Sequence, residues 1–128
     1  MTGVQTCALP IFGCLFDSID LDCSAARMYL SNLKLSEYVL FFEKHSTYIL
    51  SNEKQIDFCY LDSSNDAENT LQEFLIAYPK LTEGGCLMVD DCNEQSVELC
   101  KGDKLLPYLR ENNIIFEHLE TNQIVIRK

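Results

Sequence analysis

The sequence is short of positive charge: 10 Lys and Arg stand against 20 Asp and Glu, a net charge of −10 over 128 residues. Holding a phosphate backbone takes clustered basic side chains that displace counterions, so nucleic acid is excluded as the main partner. Apolar runs are short as well. None approaches the roughly 18 to 20 residues that span a bilayer, and no basic region leads into an apolar core as in a secretory signal; the chain reads as cytoplasmic, without a membrane partner. There is no C-x-x-C pair, and the 7 cysteines have only His45 and His118 for company, which fits neither a zinc site nor a disulfide framework. Most of these cysteines interrupt apolar stretches and read as small buried hydrophobes in a reducing compartment. Repeats, low-complexity tracts and linkers are missing too, and 128 residues with 47% hydrophobic content make one soluble globular domain at most.

What is present begins oddly. Met1–Ile11, MTGVQTCALPI, has no charge and no periodicity, and it resembles the translation of a sequencing-adapter read-through. It is therefore expected to be a non-native or disordered arm, leaving residues 12–128 as the informative part. From there the sequence alternates. Cys14–Asp20 reads as a strand, and Ala25, Met28, Tyr29 and Leu33 recur at helical spacing in the next segment. Tyr38–Phe42 is β-branched and aromatic, suited to a buried strand; STYILSN after it has room for a turn or two of helix, and Ile56–Leu61 is strand-like again. Ala67, Leu71, Phe74, Leu75 and Tyr78 share one helical face, with Asp66 and Glu68 at the end where the dipole favours carboxylates and Pro79 as the stop. Gly84 and Gly85 precede the apolar strand CLMVD, Cys92–Gly102 reads as loop or irregular helix, and Asp103 is placed to cap a helix reaching about Asn112. IIFEHLE and QIVIRK flank Thr121 and Asn122 as a terminal antiparallel hairpin.

That order predicts an α/β fold: a doubly wound, mostly parallel sheet closed by a C-terminal antiparallel hairpin. Ligands of such sheets lie outside the carboxyl ends of the strands. Three strands end in acid there, at Asp20, at Asp62 and at Asp90 with Asp91. A strand-end carboxylate can accept both hydrogen bonds of a ribose diol; equally it can cap the next helix, a task for which Asp22 is better placed than Asp20. Three such acids at one sheet edge would repel one another unless a cation, a ligand hydroxyl or a proton shared the space.

With SIDLD after its strand, IDFCYLDSSNDAENTLQEFLIAYPKLTEGGCLMVDDC, and the closing IIFEHLETNQIVIRK, the sequence resembles the class I S-adenosylmethionine-dependent methyltransferases, nearest in pattern to small-molecule O-methyltransferases. The resemblance covers nearly all of Phe12–Lys128, and its most specific part is strand-Asp, helix, L-x-x-GG, apolar strand, V-D-D. It implies methyl transfer from S-adenosylmethionine to a small-molecule acceptor through oxygen. Asp20 would hold the ribose hydroxyls of the donor, His45, Ser46 and Thr47 would lie beside its adenine, and Asp62 would border its methionine moiety and the acceptor. Catechol-type members bind a divalent cation through positions matching Asp62, Asp90 and Asp91, an all-oxygen set that suits Mg²⁺. Two positions depart from that pattern: Asp91 stands where those enzymes have Asn, and Asn65 stands where they have a Lys base or where related families have His. Asp62 and Asn65 are thus the expected catalytic positions. Lys101-Gly102 reads either as part of an acceptor lid or as a plain loop leading into a helix.

The resemblance also implies a first strand and a Gly-rich turn, and neither Gly3 nor Gly13 supplies them. In the family's strand order, three-two-one-four-five-seven-six, that strand is the middle one. Residues 12–128 are accordingly expected to be the C-terminal portion of a methyltransferase domain, weak or inactive alone. The alternatives left open are another nucleotide-binding α/β enzyme such as a dehydrogenase, against which the closing hairpin speaks, and a non-catalytic interaction domain.

Overall fold

The computed structural model describes residues 16–92, 100–119 and 122–128. The expected N-terminal arm, Gly3, Gly13, Cys7, Cys14, the loop over 93–99 and Thr121 of the hairpin turn lie outside them. The chain divides into two compact units, Met1–Ile49 and Leu50–Lys128. No helix among the described residues is long and apolar enough to cross a membrane.

In the smaller unit, β1 (Phe16–Asp20) and β2 (Val39–Glu43) pair in parallel, Phe16 opposite Val39 and Asp20 opposite Glu43. The connecting helix α1 (Ser24–Asn32) starts where expected: Asp22 Oδ1 accepts from the Ser24 backbone N–H at 2.9 Å and from the Ser24 hydroxyl, contacts that hold its carboxyl below the usual range. Helical spacing was right for α1, but its inward face was not. Met28 and Tyr29 are 67% and 65% exposed, and Ala25 and Leu33 are exposed with them. A helix laid on a two-stranded ribbon covers it with one narrow stripe, and Cys23 and Leu30 fill that stripe, Leu30 packing with Val39. Helix α2 (Ser46–Asn52) is two turns long.

The larger unit holds β3 (Ile56–Leu61), α3 (Ala67–Ala77), β4 (Leu81–Val89), α4 (Gly102–Glu111), β5 (Phe116–His118) and β6 (Ile124–Arg127). Its sheet runs β3-β4-β6-β5, with β3 and β4 parallel and β6 antiparallel to both β4 and β5. This is the four-five-seven-six end of the expected order, hairpin included. Asp66 caps α3 by accepting from the Glu68 N–H at 2.9 Å. Phe74 and Ala77 are buried in the core with Leu61, Leu87, Leu105 and Ile124; Phe74 also stacks on Tyr78 and meets Tyr108 of α4 edge-on.

Two local expectations change and one holds. Gly84 and Gly85 lie inside β4, because the register slips between the Ile56–Leu81 and Phe58–Cys86 pairs and the extra residues bulge at Gly84, whose φ of +77° favours glycine. A Cβ on Gly85 would stand 2.8 Å from the Thr82 carbonyl oxygen. As expected, α3 stops before Pro79, at Ala77, and Tyr78–Lys80 adds a 3₁₀ turn, which a proline in its first positions tolerates. Asp103 lies within the first turn of α4 and reaches back to the Cys100 N–H at 3.1 Å, while Lys101 occupies the cap position. The described cysteines are thiols, Cys23, Cys92 and Cys100 being buried and Cys59 and Cys86 half-buried. Burial pushes the thiols of Cys59 and Cys92 up to about 12, as uncharged packing groups require.

Candidate active site

The expected site residues fall into both units. In the smaller one, Asp20 ends β1 half-buried, its Oδ1 accepting the Leu21 N–H at 2.6 Å. That bond fixes the carboxylate just past the strand, where an acceptor for a diol would have to stand. His45 is exposed beyond β2, and its carbonyl accepts from Tyr48 N at 3.1 Å to begin α2, of which Ser46 is the first residue. Asp20, His45 and Ser46 thus share the carboxyl end of one parallel pair.

In the larger unit, Asp62 follows β3 directly, and Asp90 and Asp91 follow β4. The two strands are parallel neighbours with Leu61 opposite Val89, so their next residues must meet, and carboxylate oxygens of the three acids lie within 4.8 Å of one another. The Asp90 N–H, donating to the Leu61 carbonyl at 3.1 Å, ties the two strand ends together. Asp91 takes a φ of +51°, which turns the chain out of the strand at a conformation Asp tolerates. Asn65 stays exposed in the loop between β3 and α3.

Two contacts in this region are not foreseen by sequence reasoning. The first is that of Lys101, which leads into α4 as one of its two expected readings had it but also turns to the acids. Its side chain is 1% exposed, and Nζ donates to Asp62 Oδ1 at 2.6 Å and stands 3.6 Å from Asp91 Oδ2, the carboxylates being 19% and 56% exposed. The signal available was its position: a cation at the start of a helix faces the positive end of the helix dipole, so something else must hold it. The second is that of Glu73, fully buried in α3. It accepts from the Ser63 hydroxyl at 2.7 Å, and Ser63 in turn accepts from Asn69 Nδ2 at 3.1 Å, which pins the loop immediately after Asp62. Beside the cluster, Tyr60 accepts from Gln123 Nε2 at 3.0 Å and bonds to Asp90. Burial first, then the charges of Asp90 and Asp62, push its phenol up to about 12.

The donor chemistry of the three acids suits a hard divalent ion, but the arrangement does not. An ion about 2.1 Å from the Asp62 oxygen that Lys101 holds would sit within about 5 Å of the ammonium. At an effective dielectric of about 20, that repulsion is on the order of 7 kcal/mol, which offsets part of the attraction of the carboxylates for the ion. As folded, Asp62 and Asp91 already face a cation in Lys101.

A family profile described as "Methyltransferase domain" matches residues 11–92, more than half of the chain. Among solved structures, the fold is similar to that of the O-methyltransferase NovP, at 20% identity over 80% of this chain and 43% of that one, with a TM-score of 0.60. It is similar also to the O-methyltransferase TomG from Streptomyces achromogenes in complex with SAM, at 11% identity over 89% of this chain and 62% of that one, TM-score 0.63. SMU.1697c from Streptococcus mutans in complex with SAH gives 17% identity over 88% of this chain and 74% of that one, TM-score 0.62. The chain thus spans less than two thirds of the length of the two O-methyltransferases. No curated protein sequence matches it. The profile match, with the β3-β4-β6-β5 order and the strand-end acids Asp62, Asp90 and Asp91 of the larger unit as the sequence implied, makes this chain a member of the methyltransferase-domain family with the Rossmann-like class I fold.

Proposed function

We propose that the protein transfers the methyl group of S-adenosylmethionine to an oxygen of a small-molecule acceptor in the cytoplasm, and that residues 12–128 carry the C-terminal portion of the domain that does so. The observation that carries this reading is the methyltransferase-domain match over residues 11–92; it sets aside the dehydrogenase and the non-catalytic domain.

When bound, the donor supplies an electrophilic methyl on a sulfonium, so the protein needs no nucleophile of its own and acts by alignment. Asp20, fixed by Leu21, accepts from the ribose diol. His45 and Ser46, past β2, flank the adenine. Asp62 borders the methionine moiety and the acceptor: with one oxygen held by Lys101 and the following loop pinned by Glu73 through Ser63, its carboxylate is a fixed acceptor for the incoming hydroxyl and would take its proton as the methyl passes from sulfur to oxygen and the neutral thioether leaves. Asn65 has an amide and cannot take a proton, so its part is to orient the acceptor. No magnesium ion enters this scheme, since Lys101 occupies the trio.

Calorimetric titration with S-adenosylhomocysteine tests the reading on two proteins: the chain itself, and a chimera with a related enzyme's first strand and glycine turn ahead of Phe12. The chimera is expected to bind at least about tenfold more tightly than the chain, and Asp20→Ala to remove the gain. A folded chimera that binds no better would contradict the proposal.

A further inference from the structure

We propose that the ε-ammonium of Lys101 is the resident cation of the Asp62, Asp90 and Asp91 cluster, standing in for a divalent metal, so that Lys101 is a positioning residue and the cluster works without metal. Three observations meet here. The three carboxylates converge to within 4.8 Å, close enough that a cation, a ligand hydroxyl or a proton must share the space. A lysine that is 1% exposed provides a cation, in contact with Asp62 at 2.6 Å and near Asp91 at 3.6 Å. That lysine sits at the cap of α4, where the helix dipole opposes a cation, so the carboxylates and not the helix account for its place.

The tethered ammonium has an advantage over a free ion. It arrives with the fold, needs no stripping of a full hydration shell from a doubly charged ion, and presents N–H donors that carboxylates accept directly. It also supplies one charge where a metal would supply two, so the cluster keeps a net negative character. Being buried, the ammonium does not reach a substrate; it acts by fixing the Asp62 carboxylate. That last role rests on the methyl-transfer reading, whereas the competition of Lys101 with a metal rests on its contacts with Asp62 and Asp91.

The test therefore contains no methyl donor. Mn²⁺ is titrated into the full chain, free ion is followed by electron paramagnetic resonance, and folding is monitored by near-ultraviolet circular dichroism. The wild type is expected to show no Mn²⁺ uptake that Asp62→Asn removes. Lys101→Met, which keeps the length of the side chain and drops its charge, should bind Mn²⁺ at least roughly tenfold more tightly than wild type. Adding Asp62→Asn to that variant should abolish the gain, and Lys101→Arg should leave metal excluded. A purely structural lysine would change stability in these variants without creating a metal site. Wild-type uptake lost in Asp62→Asn, or a folded Lys101→Met that gains nothing, overturns the inference. If Lys101→Met does not fold, Lys101→Gln, which retains an N–H donor for Asp62, takes its place, and the wild-type titration decides in either case. Failure of donor binding in the chimera would leave these outcomes unchanged, so the two proposals fall separately.

Discussion

The two units are built to different standards. In the larger, fourteen described residues form one buried cluster, from Leu50 to Ile126; in the smaller, the cluster is Leu30 with Val39, and the large apolar side chains of Leu21, Met28, Tyr29, Leu33 and Leu40 are exposed. Among the described residues, the larger unit closes its sheet with a hairpin and covers it with two mutually packed helices, while the smaller has two strands and one narrow stripe of helix. Buried apolar area is what offsets the entropy of ordering a chain, so the unit proposed to grip the ribose and adenine is the softer one. The unit that holds the carboxylate cluster is the rigid one. A donor that must enter and leave is well served by that division, and a cluster that must keep its geometry by the other half of it.

The contrast can be pressed hardest in the cores. Phe74→Ala should cost about 3 to 5 kcal/mol in urea unfolding, because it empties the centre of the larger core, whereas Leu30→Ala should cost about 2 kcal/mol with its effect confined to amides of β1 and β2 in hydrogen exchange. Equal and global losses from both would show that the units do not differ. Next comes pH. Cys59 and Tyr60 in the larger unit have folded values near 12, above their ordinary values of 9.0 and 10.0. The folded state therefore holds more protons than the unfolded one between about 9 and 12, and stability must fall as pH rises through that window. The urea midpoint should decline above about pH 9, and Cys59→Ala with Tyr60→Phe should lessen the decline, the Cys92 thiol, also raised to about 12, carrying part of the rest. The smallest effect is expected at a helix cap: Asp66→Ala should cost about 1 kcal/mol through the lost bond to the Glu68 N–H.

The sequence was most legible where information is local. Apolar runs located β3, β4 and β6, and because Asp62 and Asp90 each follow such a run, their meeting at one edge needed only that the strands be parallel neighbours. The cap at Asp66 and the closing hairpin were equally local. Spacing showed that α1 has an apolar face but not whether anything covers it, since that depends on how many strands lie beneath. Lys101 was hidden for a related reason. Its partner Asp62 is 39 residues away, and nothing near Lys101 in sequence announces that α4 will deliver its first turn over the end of β3. Glu73 escaped because a buried acid on a helical stripe is invisible until Ser63 is seen to meet it.

The most direct test of the account is hydrogen exchange of the chimera with and without saturating S-adenosylhomocysteine. Protection is expected at Leu21–Ser24 and Ser46–Tyr48 in the softer unit, with a smaller change at Asp62–Asn65 in the rigid one. Protection confined to β5 and β6, or none in a protein shown to be folded, would contradict the proposed binding of the methyl donor.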